Sequence, residues 1–488
     1  MAFSLRNTGF CTILYLVGVL LLIAGVFMLI PLGAAVFYGE SVMPFVWGLA
    51  CNAILGAVLC LWNKQGQGGI DKFEDSDIFS LVGIIWIVVP IFSSIPYIQS
   101  GLFKSGVDAL FESVSGYTAT GWSMLTNLDM QPRSILLWRS LTQWFGGLGL
   151  TFILILLVKK MGKGVNQFYN LEFKEPGLDK MYPHIASTVK RMYLIYVALT
   201  LLQFLLLILG DMPVFDALCY ALSTISSGGF GIHDDGMQKL SAYSHYIMIL
   251  FMFLCSINYI HIYYMFLRKT ENRKRGEHLR NFLILVLVMS LILGSYLFLS
   301  GHYEWERSLR YGLFQITSLL SATGFVLENH VFYPMGFAFM FFILMFIGSN
   351  ADRTNNTIKL VRITLLLKFI RAGIAGIFHP KVVAPVKYNG CVVRDELINK
   401  VFGFVSLYIM VYVGGVILLL CSGYEFYGGM VLAASALGNI GPIAGTFYPF
   451  VSVEQMNVFS QAVMMLLMII GRVEIYSFFA VFMFRKRR

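Results

Sequence analysis

The chain has 488 residues, 58% of them hydrophobic and only 13% charged, with mean hydropathy +0.74 and a formal net charge of +10 at pH 7. A soluble domain carries about 25% charged residues, so this composition is that of an integral membrane protein. The seven cysteines are scattered without a C-x-x-C pair, which supports neither a disulfide framework nor a zinc site.

Apolar stretches of about 20 residues mark spanning helices. The first, 10–37, is too long for a signal-peptide core and reads as a retained span. A second follows at 43–62, and the two form a preamble within residues 1–70. Further spans are expected at 78–99, 134–158, 192–210, 243–267, 281–300, 334–348 continuing at 357–377, 400–421 and 454–484. Between them lie four apolar segments too short to span, at 106–120, 213–228, 308–323 and 427–440. Each runs into a small, polar, glycine-bearing loop. The predicted fold is therefore an all-α polytopic membrane protein. After the preamble, a unit of helix, half-helix, loop and helix recurs four times around a central pore, over 71–165, 166–270, 271–380 and 381–488.

The four loops contain Thr118-Ala119-Thr120-Gly121, Ser226-Ser227-Gly228-Gly229, Ser321-Ala322-Thr323-Gly324 and Gly438-Asn439-Ile440-Gly441. When Gly121, Gly229, Gly324 and Gly441 are aligned, a serine stands six residues upstream each time: Ser115, Ser223, Ser318 and Ser435. A single glycine cluster at a helix end is commonly just a helix stop. Four in register are the signature of a repeat architecture. Glycine opens dihedrals that let consecutive carbonyls face one way, and rings of carbonyls replace the water shell of potassium in selectivity filters.

Charge sets the orientation. With the glycine loops facing outward, inside loops hold seven Lys/Arg at 159–191, six at 268–280, eight at 355–400 and four at 485–488. The outer segments hold only Lys104, Arg133, Lys239, Arg307 and Arg310. The positive-inside rule puts the basic loops in the cytoplasm, so the net charge calls for anionic lipid and a cytosolic partner, and for no nucleic acid. Acidic residues including Asp108, Glu112, Asp129, Asp216, Asp234 and Asp235 fall on the outer side, where a vestibule would gather cations.

Basic residues within apolar spans are functional candidates by default. Arg139, Arg353 and Arg472 are such residues. Arg472 either partners an acid such as Glu474 or faces the pore below the loops, where its charge would limit how many cations gather. The stretch Gly348-Ser349-Asn350-Ala351-Asp352-Arg353-Thr354-Asn355-Asn356-Thr357 interrupts an apolar run. It reads as an unwound intramembrane loop able to swing as a gate, or as a cytoplasmic turn between two helices. The run Gly146-Gly147-Leu148-Gly149 permits close helix packing. No nucleotide loop and no acid–base or nucleophile set stands out, so the chain is expected to be no enzyme and to carry no cofactor.

The combination resembles the bacterial Trk/Ktr/HKT potassium-transporter superfamily, and specifically its TrkH-like branch. The likeness rests on Asp108-Ala109-Leu110-Phe111-Glu112-Ser113-Val114-Ser115-Gly116, on Trp138-Arg139 with Gln143-Trp144-Phe145-Gly146-Gly147, and on Ser321-Ala322-Thr323-Gly324-Phe325. It extends to His379-Pro380 and Gly471-Arg472-Val473-Glu474-Ile475, and so covers essentially the whole chain. The resemblance implies a potassium-translocating subunit in the bacterial inner membrane. The four loops would form the filter, with K+ at their backbone carbonyls. Gly348, Ser349, Asn350, Asp352 and Arg353 would form the gate loop, with Arg472 as the pore arginine. It also implies a homodimer that binds a cytosolic, nucleotide-binding TrkA/KtrA-like ring. Relatives have a glycine-rich gate loop, whereas Asp352, Arg353 and the asparagines Asn350, Asn355 and Asn356 stand here; Trp122 after the first loop is expected to narrow the outer mouth. Two alternatives share the pattern less well: a sodium-preferring or non-selective transporter of the same architecture, and an alternating-access secondary transporter, which usually shows two halves rather than four repeats.

Overall fold

The computed structural model describes residues 2–64, 75–148, 185–259, 262, 276–301, 303–327, 333–348, 357–378, 385–443, 456–473, 475–476 and 478–479. Among these the chain is helical with two minimal sheets. Six helices are long and apolar enough to cross a membrane: Phe10–Tyr38, Met43–Trp62, Ser80–Ser100, Val189–Ile208, Glu277–Leu299 and Asp395–Cys421.

The preamble is a hairpin of α1 (Ala2–Phe27), its continuation α2 (Leu29–Tyr38) and α3 (Met43–Trp62). The expected single span at 10–37 is interrupted at Met28, just before Pro31. Gly18 and Gly56 set the closeness of α1 and α3, since a Cβ on either would lie 2.9 Å from the other's carbonyl oxygen. The next helix, α4 (Asp75–Ser93), also breaks, and resumes as α5 (Ile95–Ser100). Pro96 has no N–H to offer the carbonyl of Phe92; the buried Asn52 amide of α3 donates to that carbonyl at 3.1 Å instead.

The four half-helices form where expected. They are α6 (Gly106–Tyr117), α9 (Val214–Ile225), α12 (Trp305–Leu320) and α16 (Phe426–Gly438). The first three end four residues before their glycine and the last ends three before, because a left-handed residue stops the helix there. A capping box of Ser105 and Asp108 starts α6. The helices that follow the first two loops are α7 (Arg133–Gly147) and α10 (Ala242–Cys255), with α8 (Ile185–Leu209) between. Glu40 of the preamble accepts the Arg133 and Ser134 amides at 2.7 and 2.9 Å, capping α7 and fixing the preamble to the first repeat.

Among the described residues, α11 (Glu277–Leu299), α13 (Met335–Met345), α14 (Leu360–Phe378), α15 (Asp395–Cys421) and α17 (Val458–Val473) complete the bundle. Strand β1 (Ile347–Gly348) pairs in parallel with β2 (Ile358–Lys359) across the interruption of the expected span. A hairpin, β3 (Lys387–Tyr388) and β4 (Cys391–Val392), lies in what reads from sequence as a basic inside loop. Its turn, Asn389-Gly390, has φ of 50° and 80°, which suits a two-residue hairpin. Glu277 at the start of α11 holds it by accepting from Lys368 and from the Asn389 amide.

Candidate functional site: a ring of four loops

The four loops share one backbone conformation. Ala119, Ser227, Ala322 and Asn439 have φ of 53°, 46°, 54° and 50°, and two residues later Gly121, Gly229, Gly324 and Gly441 have φ of 88°, 75°, 80° and 85°. Left-handed backbone at a non-glycine residue costs about 1–2 kcal/mol, and the chain bears it at the same position of all four loops. Between these two residues stand Thr120, Gly228, Thr323 and Ile440. Their amides donate to the carbonyls of Ser115, Ser223, Ser318 and Ser435 at 2.9, 2.9, 2.9 and 3.0 Å. The upstream serine of each motif thus receives the loop as it turns back on its half-helix.

The loops also close on one another. A Cβ on Gly121 would lie 2.2 Å from the carbonyl oxygen of Gly228, and one on Gly229 would lie 1.9 Å from that of Thr323. For Gly324 the neighbour is Ile440 O at 2.0 Å, and for Gly441 it is Thr120 O at 2.2 Å. The sequence first to second, third, fourth and back to first is a cycle. Each glycine leaves room for the carbonyl that precedes the next loop's glycine. All four half-helices end at this ring, so each brings the negative end of its macrodipole, roughly half an elementary charge, to the same place.

Side chains differ between walls. Thr118 and Thr120 share a hydroxyl hydrogen bond of 2.7 Å, and Ser321 and Thr323 repeat it at 2.7 Å in the third loop. The second and fourth loops have Gly228 and Ile440 at the matching position, so hydroxyl pairs occupy alternate walls. Chain continuity links neighbouring repeats except the first and the fourth. There, Asn439 Nδ2 donates to Thr120 Oγ1 at 2.9 Å, and Trp122 Nε1 donates to Ser435 Oγ at 2.9 Å. Trp122 is therefore not at the outer mouth as expected. It is buried behind the ring as a clasp between its first and last walls.

The inner scaffold is equally close. A Cβ on Gly146 would meet Tyr117 O at 1.8 Å, and one on Gly147 would meet Ser226 Cα at 2.8 Å, so α7 backs the first two loops through bare backbone. Arg472 of α17 is fully buried and donates from Nη2 to the carbonyls of Gly146 and Gly147, the latter at 2.8 Å. Its observed partners are thus backbone carbonyls at the end of α7. The acid suggested by the sequence, Glu474, lies outside the described residues. The neighbouring Gly471 abuts the fourth loop, where a Cβ would lie 2.4 Å from Leu437 O.

Of the expected gate residues, Gly348 is described, and Ser349, Asn350, Asp352 and Arg353 lie outside the described residues. The base of that loop is closed: the amide of Ile358 donates to Phe346 O at 3.0 Å. Thr357 packs on Gly348 and lies beside Gly438 of the fourth loop.

The outer acidic residues do not all face a vestibule. Glu112 is completely buried and bound to Arg139 at 2.6 Å. Asp108 serves the α6 cap and accepts from Gln461 at 2.7 Å. Outside the ring, His233 bridges Asp129 at 2.6 Å and Asp216 at 3.1 Å, tying the segment after the first loop to the second half-helix. The hydrogen bond to Asp216 dominates; partial burial opposes it and Asp129 adds to it, raising the His233 pKa from 6.5 to about 9. Stability from a raised pKa is full below 6.5 and is lost as pH climbs to about 9. Thermal unfolding in detergent is expected to show this decline over that window, and His233→Gln is expected to flatten it.

Known proteins share this architecture over the whole chain. The TrkH family, described as cation transport protein, matches residues 41–486. The chain belongs to the TrkH family. It is 28% identical to the Trk system potassium uptake protein TrkH of Salmonella typhimurium, over 97% of this chain and 98% of that protein. It is likewise 28% identical to the Trk system potassium uptake protein TrkG of Escherichia coli, over 96% of each chain. Among solved structures, the potassium transporter TrkH from Vibrio parahaemolyticus superposes with a TM-score of 0.85 at 27% identity, covering 98% of this chain and 99% of that one. As a TrkH-family member the chain is an all-α, multi-pass membrane transporter and not an enzyme.

Two features of the site escape a reading of the sequence. The Arg139–Glu112 pair joins residues 27 apart on different helices, and only the presence of two charges in apolar surroundings hints at it. The Trp122–Ser435 clasp spans 313 residues and has no local signal at all.

Proposed function

We propose that the chain is the potassium-translocating subunit of a bacterial uptake system in the inner membrane. Potassium would pass through a filter built from Thr118–Gly121, Ser226–Gly229, Ser321–Gly324 and Gly438–Gly441. The observation that carries this reading is the cyclic fit of each loop glycine against the next loop's carbonyl. Four strained turns meeting in a closed ring, each at the negative end of a half-helix, make a place where a dehydrated monovalent cation is stabilised by carbonyl oxygens. Inward movement is driven by the membrane potential at about 2.3 kcal/mol per charge per 100 mV. The names of the relatives favour potassium as the cargo.

Three further assignments belong to this proposal. The segment 348–357 acts as the gate, supported by a closed base beside the fourth loop. Arg472 contributes a fixed positive charge near the inner end of the ring. The chain forms a homodimer and binds a cytosolic nucleotide-binding ring, consistent with relatives named as parts of a Trk system. The test is complementation of a potassium-uptake-deficient bacterium at low external potassium, with the cognate regulator co-expressed and rubidium flux recorded. Restored growth with rubidium uptake is expected. No growth and no rubidium uptake, despite good membrane expression, would overturn the assignment.

A further inference from the structure

We propose that Glu112 and Arg139 are positioning residues that set the ion preference of the ring by holding the outer ends of its first and second loops. The inference rests on the filter reading above. Arg139 is 1% exposed and Glu112 is 0% exposed. The guanidinium donates from Nε to Glu112 Oε1 at 2.6 Å, from Nη1 to Gly231 O at 3.0 Å and from Nη2 to Ser123 Oγ at 3.0 Å. Its central carbon stands 4.2 Å from the centroid of the Phe230 ring. Both carboxylate oxygens are also taken: Ser123 Oγ donates to Oε1 at 3.0 Å and the Met124 amide to Oε2 at 2.9 Å.

The residues held lie just past two of the filter glycines. Ser123 and Met124 follow Gly121 by two and three positions, and Phe230 and Gly231 follow Gly229 by one and two. One ion pair, on α6 and α7 of the first repeat, therefore grips the exit of two adjacent loops. The third and fourth loops are held differently. There the motif serine closes its own loop: Ser318 Oγ donates to Phe325 O at 3.0 Å, and Ser435 Oγ donates to Gly441 O at 2.9 Å. The first two serines do not do this. Ser223 Oγ donates to Ser140 at 3.4 Å, and Ser115 Oγ is buried without a hydrogen-bond partner among the described residues. The ion pair stands in for two missing serine locks. A pair chosen only for stability would have no reason to reach both loop exits; buried ion pairs are often no more stabilising than apolar packing, and in some proteins they serve to specify geometry instead.

The experiment measures rubidium and sodium uptake per transporter in Glu112→Gln, Arg139→Lys and Ser123→Ala. Gly324→Ser serves as a direct perturbation of the ring. Glu112→Gln and Ser123→Ala are expected to lower the rubidium-to-sodium ratio about tenfold, the size of effect one lost positioning hydrogen bond has on competing rates. Arg139→Lys keeps the charge but loses the fork, and is expected to fall between them and the unaltered protein. A structural role alone would lower the number of transporters and leave the ratio unchanged. An unchanged ratio in Ser123→Ala, which removes no charge and little volume, overturns the proposal even where Glu112→Gln does not reach the membrane. If Gly324→Ser also leaves the ratio unchanged, the filter reading itself has failed; if Gly324→Ser alone shifts it, only the role of the ion pair has.

Discussion

Replacing Gly324 with alanine is expected to abolish rubidium uptake while the protein still reaches the membrane. The added Cβ would stand 2.0 Å from the carbonyl oxygen of Ile440, well inside contact distance. That atom is backbone, so it cannot rotate away as a side chain would. The φ of 80° adds strain of about 1–2 kcal/mol for any residue with a Cβ. The clash is relieved by moving the third loop from the fourth, which opens the ring and misplaces its carbonyls. Uptake is expected to fall by two orders of magnitude or more, roughly 3 kcal/mol in barrier. The same substitution at Gly336 or Gly373, where an added Cβ meets nothing within 4 Å, is the matched control and is expected to be silent. Rubidium uptake normalised to surface expression checks both.

Arg472→Met is expected to lower stability and raise flux, and Arg472→Lys separates the two effects. The guanidinium donates to the buried carbonyls of Gly146 and Gly147 at the end of α7, the glycines through which that helix backs the first and second loops. Removing the guanidinium costs about 1–3 kcal/mol, the loss of a donor to the buried Gly147 carbonyl, because the Gly146 carbonyl still accepts from the Leu148 amide. The thermal unfolding midpoint in detergent should fall accordingly. The same charge repels a passing cation by about 1 kcal/mol at a separation on the order of 15 Å and an effective permittivity of about 20, roughly sixfold in a rate. Lysine keeps that charge with fewer, less directed donors. Arg472→Lys is expected to hold flux within about twofold of the unaltered protein while recovering only part of the stability. Equal flux in Arg472→Met and the unaltered protein would remove Arg472 from the pore account; equal stability would remove it as a clamp.

The half-helices and their loops are legible in the sequence because two local signals coincide. An apolar segment too short to span ends in glycine, and a serine recurs at a fixed distance before it. The left-handed residues two positions earlier are not legible, because Ala119, Ser227, Ala322 and Asn439 are of three different types and none is glycine; the turn imposes the conformation and the side chain merely tolerates it. The joins between walls depend on residues hundreds of positions apart, such as Trp122 with Ser435, and periodicity carries no information about them. Glu112 shows the opposite failure: a carboxylate near a loop reads as solvated, yet it is buried against Arg139. The β3–β4 hairpin has a readable signal in Asn389-Gly390 that the basic residues around it obscure. Breaks at Met28 and Ser94 follow from Pro31 and Pro96, which an apolar run of sufficient length conceals.

One cation is expected to sit among the carbonyls of Thr120, Gly228, Thr323 and Ile440, and everything proposed for the ring depends on it. Crystals grown with thallium, a potassium surrogate with strong anomalous scattering, test it directly. An anomalous peak on the axis of the ring, within coordinating distance of all four carbonyl oxygens, is the predicted result. A transport-competent protein whose thallium peaks lie away from these four carbonyls would contradict it.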